Sequence, residues 1–478
     1  TFVNMFSGEW SGTSKLNKYD LSSMYFNYAG SIYSQNFPII DIVMNTMLKQ
    51  EESTQGRHFF RMFNGMGDDQ RAAAYLNGKS FEQAVLDNTL STEVFYEMMK
   101  LKGVYLRNYI NSRLSSNEFK EFMAEFMKKY QFQEVNFTRL NSEFIRKFHF
   151  NLMDFIPNWY TINSTPRFIV KGVDADQVEI GDYTKYIVKF QVYNPTNVEG
   201  VISVNVEEGG GMFPGGPRGR RGRAAQMESK PAKNYIIEPR KYKEIRILCD
   251  ERPSNLTINT NISQNLPSTI MQNFAKVTTT TTDTVTGIFD SNAALFTFNP
   301  KEITVDNEDP GFRIIESNQK NKLQSFFKKE SEDKYKNLNF WMPPSKWTAT
   351  IGVNYYGDYI NSAVYKKSGS GSNKTEWTTQ IQIPGFYEVF VYTSELPMMG
   401  WRRRGSEEKK MQYYTVKHDD GEEEISVETG RGRQGWMTLG SFYFSAGEAK
   451  ITLSDKGSES NQIIFADAVK WVYTNNNK

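Results

Sequence analysis

The sequence predicts a multidomain α plus β protein: an N-terminal all-helical region, a central immunoglobulin-like β-sandwich and a second antiparallel β-sandwich at the C-terminus. Three observations predict it. The chain has 478 residues, about three times a typical domain of roughly 150 residues. Apolar residues recur at three- and four-residue steps as far as about residue 160, and then switch to alternation with polar neighbours from about Arg167.

In the helical part, Phe119, Phe122, Met123, Phe126, Met127 and Tyr130 form one apolar stripe, with Ser116 as the expected cap. Asn141 to Phe155 repeats the spacing through Phe144, Ile145, Phe148, Leu152 and Phe155, and Pro157 ends it. Upstream, Arg71 to Leu76 reads as a helix stopped by Asn77-Gly78, and Ser80 starts the next at Phe81. Alternation then marks strands at Phe168 to Val170, Tyr186 to Val192, Val201 to Val206, Tyr235 to Ile237, Tyr242 to Leu248 and Leu256 to Ile262. Gly209 to Arg223 interrupts them as a flexible hairpin insertion. The threonines Thr278 to Thr282 either close this sandwich or begin an exposed edge. After a charged connector, Lys320 to Lys336, aromatic strands resume at Trp377 to Ile383, Tyr387 to Tyr392, Tyr413 to Lys417, Trp436 to Phe444 and Ile463 to Val472. The expected domains are 1–163, 164–305 and 306–478.

Charge and composition exclude several classes. Lys and Arg total 57 against 55 Asp and Glu, a formal charge of +2. That leaves no whole-molecule field to gather nucleic acid or anionic membrane, so no nucleic-acid partner is expected. The longest apolar runs, such as Phe37 to Val43, fall far short of the roughly 20 residues of a membrane span. No transmembrane segment is expected. Thr1 shows no initiator methionine or signal-peptide pattern, so the sequence reads as a mature form or a piece of a longer protein. The single cysteine, Cys249, excludes an intrachain disulfide and a thiolate-rich metal site, and reads as a buried thiol.

Catalytic constellations are missing. A zinc hydrolase needs paired imidazoles one helical turn apart with a carboxylate ligand and a general base. His58, His149 and His418 put no two on one turn, so neither a metal site nor a cofactor is expected. His149 reads as a core residue on an aromatic helix face, and His418, before Asp419-Asp420-Gly421, as a turn residue. No Gly-x-Ser-x-Gly elbow or phosphate-binding loop occurs. No catalytic residue is assigned.

Binding residues are easier to nominate. Arg218, Arg220, Arg221 and Arg223 concentrate charge in a loop suited to phosphate, lipopolysaccharide or an acidic glycan, or simply solvated. Sugar sites pair an aromatic face with amides and carboxylates. Tyr355, Tyr356, Asp358, Tyr359, Trp401 and Arg402 fall in expected loops and are the ligand-binding candidates. Trp377, Trp436 and Trp471 fall on strands, where core packing is the default.

Two resemblances add to this. Asp306 to Phe312, Trp347, Tyr355-Tyr356-Gly357-Asp358-Tyr359, Pro384-Gly385-Phe386-Tyr387-Glu388-Val389, Tyr413-Tyr414-Thr415-Val416, Gly435-Trp436 and Phe465-Ala466-Asp467-Ala468-Val469 together resemble the golvesin C-terminal-like domain, also described as a xanthan-lyase-associated carbohydrate-binding-like domain. That resemblance implies a jelly-roll-like sandwich on an extracytoplasmic bacterial protein, in the periplasm or at the cell surface. Ala72 to Val170, through Lys102-Gly103-Val104-Tyr105-Leu106 and Asn158-Trp159-Tyr160, resembles the downstream helical region of zinc aminopeptidases related to aminopeptidase N. Those enzymes carry a tyrosine three residues before the glycine, where this chain has Lys100, with Tyr96 one turn earlier.

The expected function is non-catalytic recognition of a surface glycan, a peptide or an envelope protein partner. Two alternatives stay open. One is the C-terminal portion of a membrane-associated, transporter-linked zinc peptidase whose metal-binding part precedes Thr1. The other is an adhesion or secretion-complex subunit.

Overall fold

The computed structural model describes residues 32–49, 67–130, 133–209, 232–274, 277, 279–316, 334–394, 410–430 and 433–474. Among the described residues the protein is mostly β, 43% strand and 22% helix. It divides into two compact units, residues 1–54 with 79–163 and residues 55–78 with 164–478.

The first unit is built on helices whose ends are fixed by their own side chains. The helix Ser116–Lys129 is capped by Ser115, one residue earlier than the sequence suggests. The Ser115 hydroxyl accepts from the Glu118 amide at 3.2 Å while the Glu118 carboxylate accepts from the Ser115 amide at 2.9 Å. That reciprocal box needs a spacing of three residues, which Ser116 does not have. Phe122 and Phe144, on the helices Ser116–Lys129 and Phe137–Phe148, meet edge to face at 5.2 Å and are both buried. His149 is an exposed helix terminator at φ 53°, not a core residue.

Lys102 and Trp159 tie two helices together. The buried Lys102 ammonium donates to the Trp159 carbonyl and lies 5.3 Å from the Trp159 ring, while the Trp159 indole N–H donates to the Lys102 carbonyl at 3.2 Å. Burial lowers the Lys102 pKa to about 7. Between about pH 7 and the unfolded lysine value near 10.4, the unfolded chain holds a proton that the folded chain has lost. Stability of this unit therefore rises with pH across that window, by up to about 1.4 kcal/mol per pH unit, and is lowest below pH 7. Urea midpoints at pH 7, 8 and 9 should climb in the native chain and stay level in Lys102→Met. Level midpoints in both would remove this reading of Lys102.

The second unit corrects the expected architecture. Its strands form five small sheets arranged as a five-blade propeller, not an immunoglobulin-like sandwich followed by a jelly-roll-like sandwich. Two sheets use strands up to Asp290. One runs Thr279–Thr281, Ile169–Ile180, Tyr183–Tyr193, Tyr242–Cys249, Gly287–Asp290, and the other Lys233–Ile237, Gly200–Glu208, Pro253–Asn259, Thr269–Asn273. Three more use strands from Glu302 onward, ordered Glu302–Val305, Val469–Thr474, Gly385–Thr393, Gly435–Phe444; then Phe312–Ile315, Lys374–Ile381, Gly447–Gly457, Lys410–His418, Gly421–Thr429; then Thr348–Ile351, Ser362–Lys367, Ile463–Ala466.

Alternation locates a strand but says nothing about its partner, which is why the sandwich expectation fails. Glu302–Val305 pairs with Val469–Thr474, more than a hundred residues away, and Phe312 sits opposite Trp377. Thr279–Thr281 resolves the threonine question: it pairs in parallel with Asp176 to Val178 as an edge strand. Cys249 is buried with Val188, Phe190 and Ile245, and Trp377, Tyr387, Tyr414 and Trp471 fill a second core. Most of the 320–336 connector and nearly all of the 209–223 insertion lie outside the described residues.

Candidate functional site

The sheet containing Gly385–Thr393 buries one face and leaves the other only partly covered. Along that strand Tyr387, Val389 and Val391 are buried, whereas Phe386, Glu388, Phe390 and Tyr392 occupy the opposite face. Register adds neighbours to this outer face: Tyr443 opposite Phe386, Thr438 and Lys470 flanking Phe390, and Trp436 opposite Tyr392.

Trp436 and Tyr443 are seven residues apart, a spacing that strict alternation would send to opposite faces. A bulge opposite the Val389–Phe390 step inserts Leu439 as an extra residue, with Gly440 at φ 136°, and so returns both aromatics to one side. The strand position alone suggests core packing for Trp436, which holds for the buried Trp377 and Trp471 but not for Trp436.

The rings fall into two groups. Trp436 meets Tyr392 at 5.3 Å and Tyr356 at 5.1 Å, and Tyr356 lies 5.7 Å from Tyr392. Phe386 and Tyr443 pair edge to face at 5.4 Å, 39% and 37% exposed. Between them, the Lys470 ammonium lies 4.6 Å from the Trp436 ring and pairs with Glu302 at 3.4 Å. Burial pushes the Tyr392 hydroxyl up to about 12 and Tyr356 higher still, so both stay neutral donors at physiological pH.

Tyr356 is the one candidate from sequence that joins this face. Its amide donates to both oxygens of the buried Asp467, at 3.3 and 3.2 Å, and Asp467 also accepts from the Ser394 hydroxyl at 3.3 Å. Burial, reinforced by Asp306, holds the Asp467 carboxyl well above the usual range. Tyr355 is buried against Phe465 and offers no ring face. Asp358 pairs with Lys171 at 3.4 Å, and Tyr359 is covered by the Arg167 guanidinium at 4.0 Å. Trp401, Arg402, Arg218, Arg220, Arg221, Arg223 and His58 lie outside the described residues.

Phe386, Phe390, Tyr392, Trp436 and Tyr443 are not among the candidates that sequence nominates. The signal is present in part: Phe386, Phe390 and Tyr392 sit on the same alternation as Glu388. Among the described residues, no group of three or more His, Cys, Asp or Glu side chains is placed to hold a metal. Asp306 and Asp309 instead fix a turn, the Asp306 amide donating to Asp309 at 2.8 Å, and burial pushes Asp306 up to about 8.

Residues 337–473 match the golvesin C-terminal domain. The matched stretch contains every ring of the aromatic face, and the Glu302–Val305 strand lies outside it at the sheet edge. No curated protein matches the chain. Among solved structures, a Paenibacillus xanthan lyase is similar at 14% identity and TM-score 0.26, over 65% of this chain and 26% of the lyase. The chain therefore spans about a quarter of that protein. A two-domain protein of unknown function from Bacteroides fragilis (10% identity, TM-score 0.16) is covered over 94% of its length by 64% of this chain. An exo-beta-1,3-galactanase from Phanerochaete chrysosporium, solved with beta-1,3-galactotriose, gives 9% identity and TM-score 0.21 over 64% of this chain and 69% of its own. Scores this low carry no weight for the fold.

The zinc-aminopeptidase resemblance finds no support, nor does an immunoglobulin-like or periplasmic assignment. Lys102 and Trp159, which carry part of the aminopeptidase resemblance, serve the helix clasp. No described helix is long and apolar enough to cross a membrane.

Proposed function

We propose that the chain is a non-catalytic carbohydrate-recognition protein acting outside the cytoplasm, organised as segments 1–163, 164–305 and 306–478, with recognition in the last. The observation that carries this reading is the bulge that gathers Phe386, Phe390, Tyr392, Trp436 and Tyr443 on the outer face of one sheet, with Phe386 and Tyr443 exposed and the other three half-buried. Solvent-facing aromatic rows are unusual on a protein with ordinary cores and mark contact surfaces. Flat aromatic faces suit the apolar side of pyranose rings, and the Tyr392 hydroxyl, Glu388 and Lys470 supply donors and acceptors for sugar hydroxyls. Strand geometry spreads the row over about 20 Å from Phe386 to Tyr392, the reach of a chain of several sugars rather than one. The match of residues 337–473 to the golvesin C-terminal domain agrees with this assignment.

Affinity electrophoresis of the full chain through gels containing neutral polysaccharides, beta-1,3-galactan among them, tests the proposal. Retardation on at least one neutral polysaccharide is expected. Unchanged mobility across the panel would remove it.

A further inference from the structure

A second feature of the golvesin domain lies apart from the aromatic face. A cavity of about 540 Å³ is lined by Phe340, Trp341, Met342 and Pro343 on one side and by Lys367, Lys410 and Ser460 to Gln462 on the other. Its volume falls in the usual range for small-ligand pockets, roughly 300–1,000 Å³.

Trp341 is 70% exposed, yet its loop is built rather than loose. The Asn339 carboxamide oxygen accepts from the amides of Trp341 at 3.2 Å and Met342 at 2.9 Å. The Asn339 amide in turn donates to the hydroxyl of the buried Tyr365 at 3.1 Å, and that hydroxyl donates to the Asn337 carbonyl at 2.9 Å. An indole held out in water by a fixed loop is preorganised for a partner. The opposite wall is equally fixed: Asn461 takes φ 66°, and the Gln462 carboxamide oxygen accepts from the Ser458 amide at 2.9 Å while its NH₂ donates to the Met411 carbonyl at 2.9 Å.

Charge selects the ligand. Neither Lys367 nor Lys410 has an ion-pair partner among the described residues, and both line the cavity. They line it together with a single carboxylate, Glu459. We propose that this cavity is a subsite for a uronate, the carboxylated sugar of an acidic oligosaccharide, with Trp341 under the ring, Lys367 and Lys410 on the carboxylate, and Asn461 toward the hydroxyls. The assignment rests on the glycan-binding reading but uses none of the residues of the aromatic face.

Calorimetric titration of the full chain with oligogalacturonate, and with the same oligosaccharide methyl-esterified, tests it. The free acid should bind the native chain, and raising salt to about 0.5 M should weaken it. Lys367→Gln/Lys410→Gln should lose about tenfold in affinity for the free acid, down to the level of the ester, while its retardation by neutral polysaccharide stays native. Trp341→Ala should weaken acid and ester alike. Failure of oligogalacturonate to bind, equal affinity for acid and ester, or an affinity indifferent to the lysine substitutions would each overturn the subsite. Retardation by neutral polysaccharide reads the aromatic face independently, so either site can fail without the other.

Discussion

Asp455→Ala should destabilise the second unit by about 3–5 kcal/mol, the loss expected when one partner of a buried ion pair is removed. Asp455 is fully buried and holds the ammonium of Lys366, itself 4% exposed. It also accepts from the Asn373 carboxamide at 2.8 Å and the Gly371 amide at 2.7 Å. Burial raises its pKa, but the hydrogen bonds from Lys366 and Asn373 and the Lys366 charge outweigh this and hold the carboxyl below its ordinary value. Removing the carboxylate leaves an unpaired buried cation and two unsatisfied donors. Adding Lys366→Met should recover part of the loss, because the stranded charge goes with it. Urea denaturation of the full chain reads both. A single substitution costing less than about 1 kcal/mol would mean the pair is solvated in solution.

Trp436→Ala should weaken neutral-glycan binding by about 30-fold or more, since truncating a central tryptophan of a contact surface typically costs about 2 kcal/mol or more. Folding should suffer little, because Trp436 lies on the outer side of its sheet and no core cluster includes it. Trp377→Ala is the informative contrast. That ring is 1% exposed, touches Phe312 and Tyr414, and donates its indole N–H to the Asp467 carbonyl at 3.1 Å. Its loss should cost about 3–5 kcal/mol of stability. Similar binding losses from both variants, with similar stability losses, would mean that Trp436 is structural.

What can be read from sequence is local. The helix Ser116–Lys129 and the strand Tyr183–Tyr193 carry their period and their end signals within short local windows, and both are visible there. The pairing of Glu302–Val305 with Val469–Thr474 depends on long-range closure that no window contains, so the sheet arrangement is not. Trp436 and Trp377 show the same limit within the candidate site. Both sit on strands, and only a one-residue bulge at Leu439 decides that Trp436 joins Tyr443 outside. Tyr356 is recoverable because it follows a turn-rich stretch, whereas its neighbour Tyr355 faces the other way and is buried.

Affinity electrophoresis of the native chain beside a Trp436→Ala/Tyr392→Ala variant, in gels of a retaining neutral polysaccharide, tests the glycan-binding face most directly. Retardation of the native chain, abolished in a variant that keeps its native melting behaviour, is the expected result. Equal retardation of the two proteins, or none for either, would contradict it.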